Sequence, residues 1–94
     1  MRYVLIYHPE VKEDIRNIPA NIKTRIRKAI EARLQVEPIQ YGQPLRQSLK
    51  GHRKLRVGDW RVIYRVEGAT VIVFRIGNRK NVYDGVVFRR IGNR

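Results

Sequence analysis

Apolar and polar positions alternate most clearly between Leu49 and Tyr64. Leu55 and Val57 point one way, and Trp60, Val62 and Tyr64 continue that face beyond Gly58-Asp59. His52, Lys54 and Arg56, then Arg61, Ile63 and Arg65, take the opposite face. A period of two predicts strands over 53–57 and 60–67 joined by a tight turn, with one apolar and one cationic side. After the Glu67-Gly68-Ala69 turn, residues 70–76 read as a third strand. Its alternation puts Ile72, Phe74 and Ile76 on the core face and Val71, Val73 and Arg75 on the other, before Gly77-Asn78 breaks it. Trp60, Tyr64 and Phe74 read as core residues, and His8 and Asp59 as turn residues.

Residues 2–7 contain the apolar run Tyr3-Val4-Leu5-Ile6-Tyr7. A run without alternation predicts a strand covered on both faces, central in its sheet. His8-Pro9 stops it. Pro9 suits a first helical turn, and Glu10, Glu13 and Asp14 place negative charge near the positive helix end. Val11, Ile15 and Ile18 share one face of that short helix. A second helix starts at 19–21 and runs to about 36, with the stripe Ile22, Ile26, Ala29, Ile30 and Leu34 and a basic outer face of Lys23, Arg25, Arg27 and Lys28. Residues 37–51 form a long connection that Leu45 and Leu49 pin to the core; loops of this length are often functional. After Gly77, Val86-Val87-Phe88 favours strand, while Val82, Val86 and Arg89-Arg90 fit helix; a short helix is the expectation. The predicted fold is α+β: an N-terminal strand, a helical hairpin, a three-stranded antiparallel meander completing a four-stranded sheet, and a short C-terminal segment, in a single domain over 1–94.

Charge changes this picture most. The 94 residues carry 21 Lys and Arg against 8 Asp and Glu, a net +13. Residues 1–50 hold 10 basic and 5 acidic residues, and residues 51–94 hold 11 and 3, so the strand-rich half is the more basic. That excess repels itself in a compact fold, and binding a polyanion offsets the repulsion. The absence of cysteine excludes disulfides and thiolate zinc sites. The scattered histidines and carboxylates have no metal-ligand spacing, so no cofactor is expected. No apolar run is long enough for a membrane span, and the N-terminus does not read as a signal peptide, so a cytoplasmic protein without membrane contact is expected. The string Arg75-Ile76-Gly77-Asn78-Arg79 recurs as Arg90-Ile91-Gly92-Asn93-Arg94, too short for a structural repeat.

Four stretches, in this order and spacing, carry a family resemblance: Gly42-Gln43-Pro44-Leu45, Leu49-Lys50-Gly51, Lys54-Leu55-Arg56-Val57-Gly58-Asp59-Trp60-Arg61-Val62-Ile63-Tyr64, and Ile76-Gly77-Asn78-Arg79-Lys80-Asn81-Val82-Tyr83. The chain resembles the RelE/ParE superfamily of toxins from toxin–antitoxin systems over nearly its whole length. RelE-like members cut mRNA in the ribosomal A site; ParE-like members inhibit DNA gyrase. The resemblance implies site roles for Lys54, Arg61, Arg79 and Tyr83. It puts His52 where RelE-like toxins have a first lysine, and Asn78 where many members have a histidine. The implied partners are a cognate antitoxin, the ribosome and mRNA, with no small-molecule cofactor.

Metal-independent RNA cleavage uses the neighbouring 2′-hydroxyl as nucleophile, with a proton acceptor and stabilisation of the phosphorane charge. Guanidinium groups clamp phosphate bidentately, which suits Arg56, Arg61 and Arg79, with Lys80 and Arg65 as further substrate contacts. Tyr83 offers a stacking surface for an unpaired base. Either His52 or Lys54 is the proton acceptor: they lie two residues apart on one strand face, and imidazole exchanges protons near neutral pH. Two further readings stand beside the ribonuclease: a ParE-like gyrase inhibitor without nuclease activity, and a nucleic-acid-binding domain without poison activity.

Overall fold

The computed structural model describes residues 2–46 and 50–84. A five-stranded sheet in the order β1-β5-β4-β3-β2 carries the helices. Its strands are β1 (Val4–Tyr7), β2 (Gln43–Pro44), β3 (Arg53–Val57), β4 (Trp60–Glu67) and β5 (Thr70–Asn78). The helices are α1 (Val11–Asp14), α2 (Ala20–Ala29), which continues as a π-helical turn over Ile30–Leu34, and α3 (Pro38–Tyr41). β3, β4 and β5 form the expected antiparallel meander, and β1 joins β5 in parallel. The α+β architecture is the one expected. The C-terminal helix, the second Arg-Ile-Gly-Asn-Arg string and the packing of Leu49 fall outside the described residues.

The apolar faces meet where the alternation and the helical stripe placed them. Ile26, Ile30 and Leu34, four residues apart, lie buried against Leu55, Val57, Val62 and Tyr64, together with Val11 and Ile18. Asp14 ties α1 to the sheet, its Oδ2 accepting the Ile76 amide at 3.1 Å.

Three expectations need correction. First, β1 is an edge strand and not a central one: Val4 is 58% and Ile6 50% exposed. An apolar run does not report whether both faces are covered.

Second, the sheet has five strands because the 37–51 connection supplies α3 and β2. Tyr64 Oη donates to Pro38 O at 2.6 Å. Arg53 Nη2 donates to Ile39 O at 2.6 Å and to Gly42 O at 2.8 Å, and the Leu45 amide donates to His52 O at 2.9 Å. Gly42 packs so tightly on the Tyr64 ring that a Cβ there would collide with its hydroxyl. These long-range contacts, not a local pattern, order the connection.

Third, the facing of β5 is inverted over residues 71–74. The β4–β5 register steps from Ile63↔Arg75 to Tyr64↔Val73, leaving Phe74 as an extra residue. That bulge puts Val71, Val73 and Ile76 together in the core beneath the helices. Phe74 turns to the other face, its ring 4.8 Å from that of His52 and 5.4 Å from the Arg65 guanidinium.

Candidate functional site

The cationic side of the meander is organised by its register. Residues directly opposite each other in antiparallel strands share a face, with Cβ atoms about 4.5–5.5 Å apart. One row crosses the sheet as Arg56, Arg61 and Gly77. The next row is Lys54, Ile63 and Arg75, and Gln43 of β2 extends it beyond Lys54. Lys54, Arg56 and Arg61 thus converge as their alternation implied. Arg75 joins them, a cation that the alternation had placed on this face without a role. Gln43 carried no signal, because nothing local marks β2 as a strand.

Arg61 is not a free surface charge. It is 9% exposed, and its Nη1 donates to Gly58 O and Trp60 O, each at 2.9 Å. Gly58, at φ +61°, opens the β3–β4 turn in a conformation that glycine adopts readily. Arg61 therefore braces the turn with one nitrogen.

Arg79 and Tyr83 arrive from the turns after β5. The Arg79 amide donates to Asp59 O at 2.8 Å, and its Nε lies 3.9 Å from Asp59 Oδ1. Asn78 directs the chain back: its carbonyl accepts the Asn81 and Val82 amides at 3.1 and 2.9 Å, and its side chain accepts the Lys80 amide at 3.0 Å. Val82 then lands on the sheet, fully buried beside Ile63 and against Leu45. This second, small core lies on the cationic face, where the alternation left Ile63 unexplained. Tyr83 stays 38% exposed beside it, and Lys80 is exposed on the same turn. The carboxylates near this end are Asp59, taken up by Arg79, and Asp84 at the end of the turn.

Two expected members stand apart. Arg65 lies four residues along β4 from Arg61, roughly 13 Å at the usual rise per residue. It is ion-paired with Glu67 and stacked over Phe74. His52 was expected on the solvent-facing cationic row, but it is 1% exposed, edge-on to Phe74. The bulge that rotates Phe74 onto this face buries it.

A separate cleft of about 780 Å³ opens between α1, α2 and the end of the sheet. Val11, Ile15, Ile26 and Ile30 line its floor. Lys12, Lys23 and Arg27 stand among its walls with the single carboxylate Glu31. Burial, then the charge of Glu31, pushes the Tyr7 phenol above its usual range there, against the opposing pull of Arg27. Among the described residues no helix is long and apolar enough to cross a membrane.

Comparison with known proteins bears on the family and the fold. The family described as ParE toxin of type II toxin–antitoxin systems matches residues 5–83. Toxin RelG of Mycobacterium tuberculosis is 29% identical over 85 residues, spanning 88% of this chain and 98% of RelG. The toxin–antitoxin complex RelBE2 of the same organism superposes with a TM-score of 0.79 at 27% identity, covering 84% of this chain and 93% of the matched one. The free Escherichia coli toxin RelE, at 16% identity and a TM-score of 0.67, shares the fold over 99% of this chain and 98% of its own. With the family matched over most of its length and RelE-like proteins among its relatives, the chain belongs to the ParE toxin family of type II toxin–antitoxin systems, on the RelE-like side of the RelE/ParE superfamily.

Proposed function

We propose that this toxin is a ribosome-dependent endoribonuclease that cleaves mRNA in the A site. The observation that carries the reading is the shared sheet face of Lys54, Arg56 and Arg61, with Arg79 held against the same β3–β4 turn that Arg61 braces. Such a face holds a phosphodiester and a splayed base. The 2′-oxygen forms its bond to phosphorus as its proton passes to Lys54. The P–O5′ bond then breaks, the 5′-oxygen takes up a proton, and a 2′,3′-cyclic phosphate remains. Arg61 and Arg79 offset the charge on the crowded phosphorus, and Arg56 and Lys80 hold flanking phosphates. The chain's own cations supply this chemistry without a metal. Burial of His52 favours Lys54 as the proton acceptor. Much of the rate comes from the geometry in which the ribosome presents the mRNA.

The partner that silences the toxin is a cognate antitoxin. The cleft between α1 and α2 fits an amphipathic acidic segment, apolar side down and carboxylates toward Lys12, Lys23 and Arg27. The site of action is the cytoplasm, where translation occurs. A ParE-like gyrase inhibitor is the second reading, favoured by the ParE description of the matching family. Primer extension on cellular mRNA after induction separates the two. Breaks at fixed codon positions support the ribonuclease, whereas intact mRNA with a DNA-damage response supports the gyrase inhibitor.

A further inference from the structure

In the row Arg56–Arg61–Gly77, the third position has no side chain. Val82 fills that place. A Cβ on Gly77 would sit 3.3 Å from the Cα, Cβ and Cγ2 of Val82, a contact tight enough that Val82 would have to give by a few tenths of an ångström. Val82 is completely buried, with Ile63 of the neighbouring row beneath it and Leu45 beside it. The residues assigned to the site from beyond β5, Arg79, Lys80 and Tyr83, all lie within three positions of Val82. Near Arg79 the turn is fixed to the rest of the sheet through the Arg79 amide on Asp59 O and the exposed Arg79–Asp59 ion pair. Ion pairs of that kind hold little. The seat of Val82 on Gly77 is the buried contact.

We infer that Val82 is a positioning residue: seated in the gap left by Gly77, it fixes where Arg79 and Tyr83 stand relative to Arg61. The inference rests on the ribonuclease reading for its kinetic consequence, though not for its geometry. Truncating Val82 leaves Lys54, Arg56 and Arg61 in place, so substrate still binds. What is lost is the alignment of groups that act on the reacting phosphate.

The kinetic test is single-turnover cleavage on programmed ribosomes with wild type, Val82→Ala, Arg79→Ala and the double variant. Val82→Ala is expected to slow the cleavage step by about 10²-fold while changing the half-saturating toxin concentration by less than about 3-fold, as misplacement near the reacting atoms does. In the Arg79→Ala background the same truncation is expected to cost less than about 5-fold, because residues acting through one another are non-additive. Gly77→Ala, which obliges Val82 to shift by a few tenths of an ångström, is expected to slow the same cleavage step in the same direction. Equal costs of Val82→Ala in both backgrounds would mean a merely structural plug and overturn the proposal.

A second measurement needs no cleavage. Amide exchange at Arg79, protected by its bond to Asp59 O, is expected to accelerate by at least about 10-fold in Val82→Ala while the Val62 amide in β4 keeps its protection. Unchanged protection at Arg79 overturns the proposal, as does equal loss at both sites. If wild type cleaves nothing on ribosomes, the ribonuclease reading falls, and the exchange experiment still decides whether Val82 positions the turn.

Discussion

Arg61 combines a brace on the β3–β4 turn with the proposed phosphate contact. Its Nη1 satisfies two turn carbonyls while the guanidinium lies beside Arg56. Arg61→Ala is therefore expected to lose toxicity and also about 0.5–1.5 kcal/mol of stability, because it removes two part-buried hydrogen bonds to turn carbonyls that water can partly replace. Arg79 has an exposed side chain, so Arg79→Ala is expected to abolish toxicity at a stability cost within about 0.5 kcal/mol. Urea melts with growth-arrest assays at equal expression check both; a fully toxic Arg79→Ala strain would remove that residue from the site. His52 poses the opposite question. Packed edge-on against Phe74, it is expected to act through the fold and not on the substrate. His52→Gln is expected to lower stability yet keep single-turnover cleavage within about 5-fold of wild type, far short of the loss when a proton-transfer group is removed. A loss beyond about 10²-fold with the fold intact would return the proton-acceptor role to the histidine.

At the scale of elements, the least obvious part of the fold is the connection that becomes α3 and β2. Tyr64 and Arg53 hold it by hydrogen bonds to Pro38, Ile39 and Gly42 carbonyls. Gly42→Ala is expected to displace the Tyr64 hydroxyl and cost about 1–3 kcal/mol, as overpacking does. The same contacts predict a pH response. Burial raises the Tyr64 phenol above its ordinary value of 10.0, and Arg53 opposes this without reversing it. A folded value raised above the unfolded one means that the native state holds the proton more tightly. The resulting stability is fully present below pH 10.0 and is lost as pH rises through the raised folded value. Tyr64→Phe is expected to be less stable than wild type at neutral pH and to lose less stability between about pH 9 and 11, with the residual slope owed in part to Tyr7, which is raised as well. Parallel slopes for the two proteins would show that Tyr64 does not contribute.

For the whole molecule, a charge of +13 dominates. It favours encounter with polyanions and makes such binding sensitive to salt. Complex formation between the toxin and an antitoxin segment is expected to bury the cleft at α1 and α2. A paired substitution, Ile15→Asp with Lys23→Glu, places carboxylates in that cleft away from the cationic sheet face. It is expected to weaken rescue by the adjacent reading frame by at least about 10-fold in co-expression titrations, since like charges across an interface repel. Undiminished rescue would place the antitoxin on another surface.

The alternation along residues 53–67 was enough to place Leu55, Val57, Val62 and Tyr64 in the core and Lys54, Arg56 and Arg61 together on the other side, because strand facing follows from a period of two. The stripe of Ile26, Ile30 and Leu34 likewise placed the second helix. Composition alone set the expectation of a polyanion as the class of ligand. Tertiary structure decided what depends on contacts between distant residues. The bulge at Phe74 shows only when β4 and β5 are paired, and it inverts part of β5 and buries His52. The edge position of β1 depends on strand order, which an apolar run does not encode. The brace on Arg61 and the seat of Val82 on Gly77 are matters of approach in space. Periodicity fixes which way a side chain points from its own strand, and only packing fixes what it meets there.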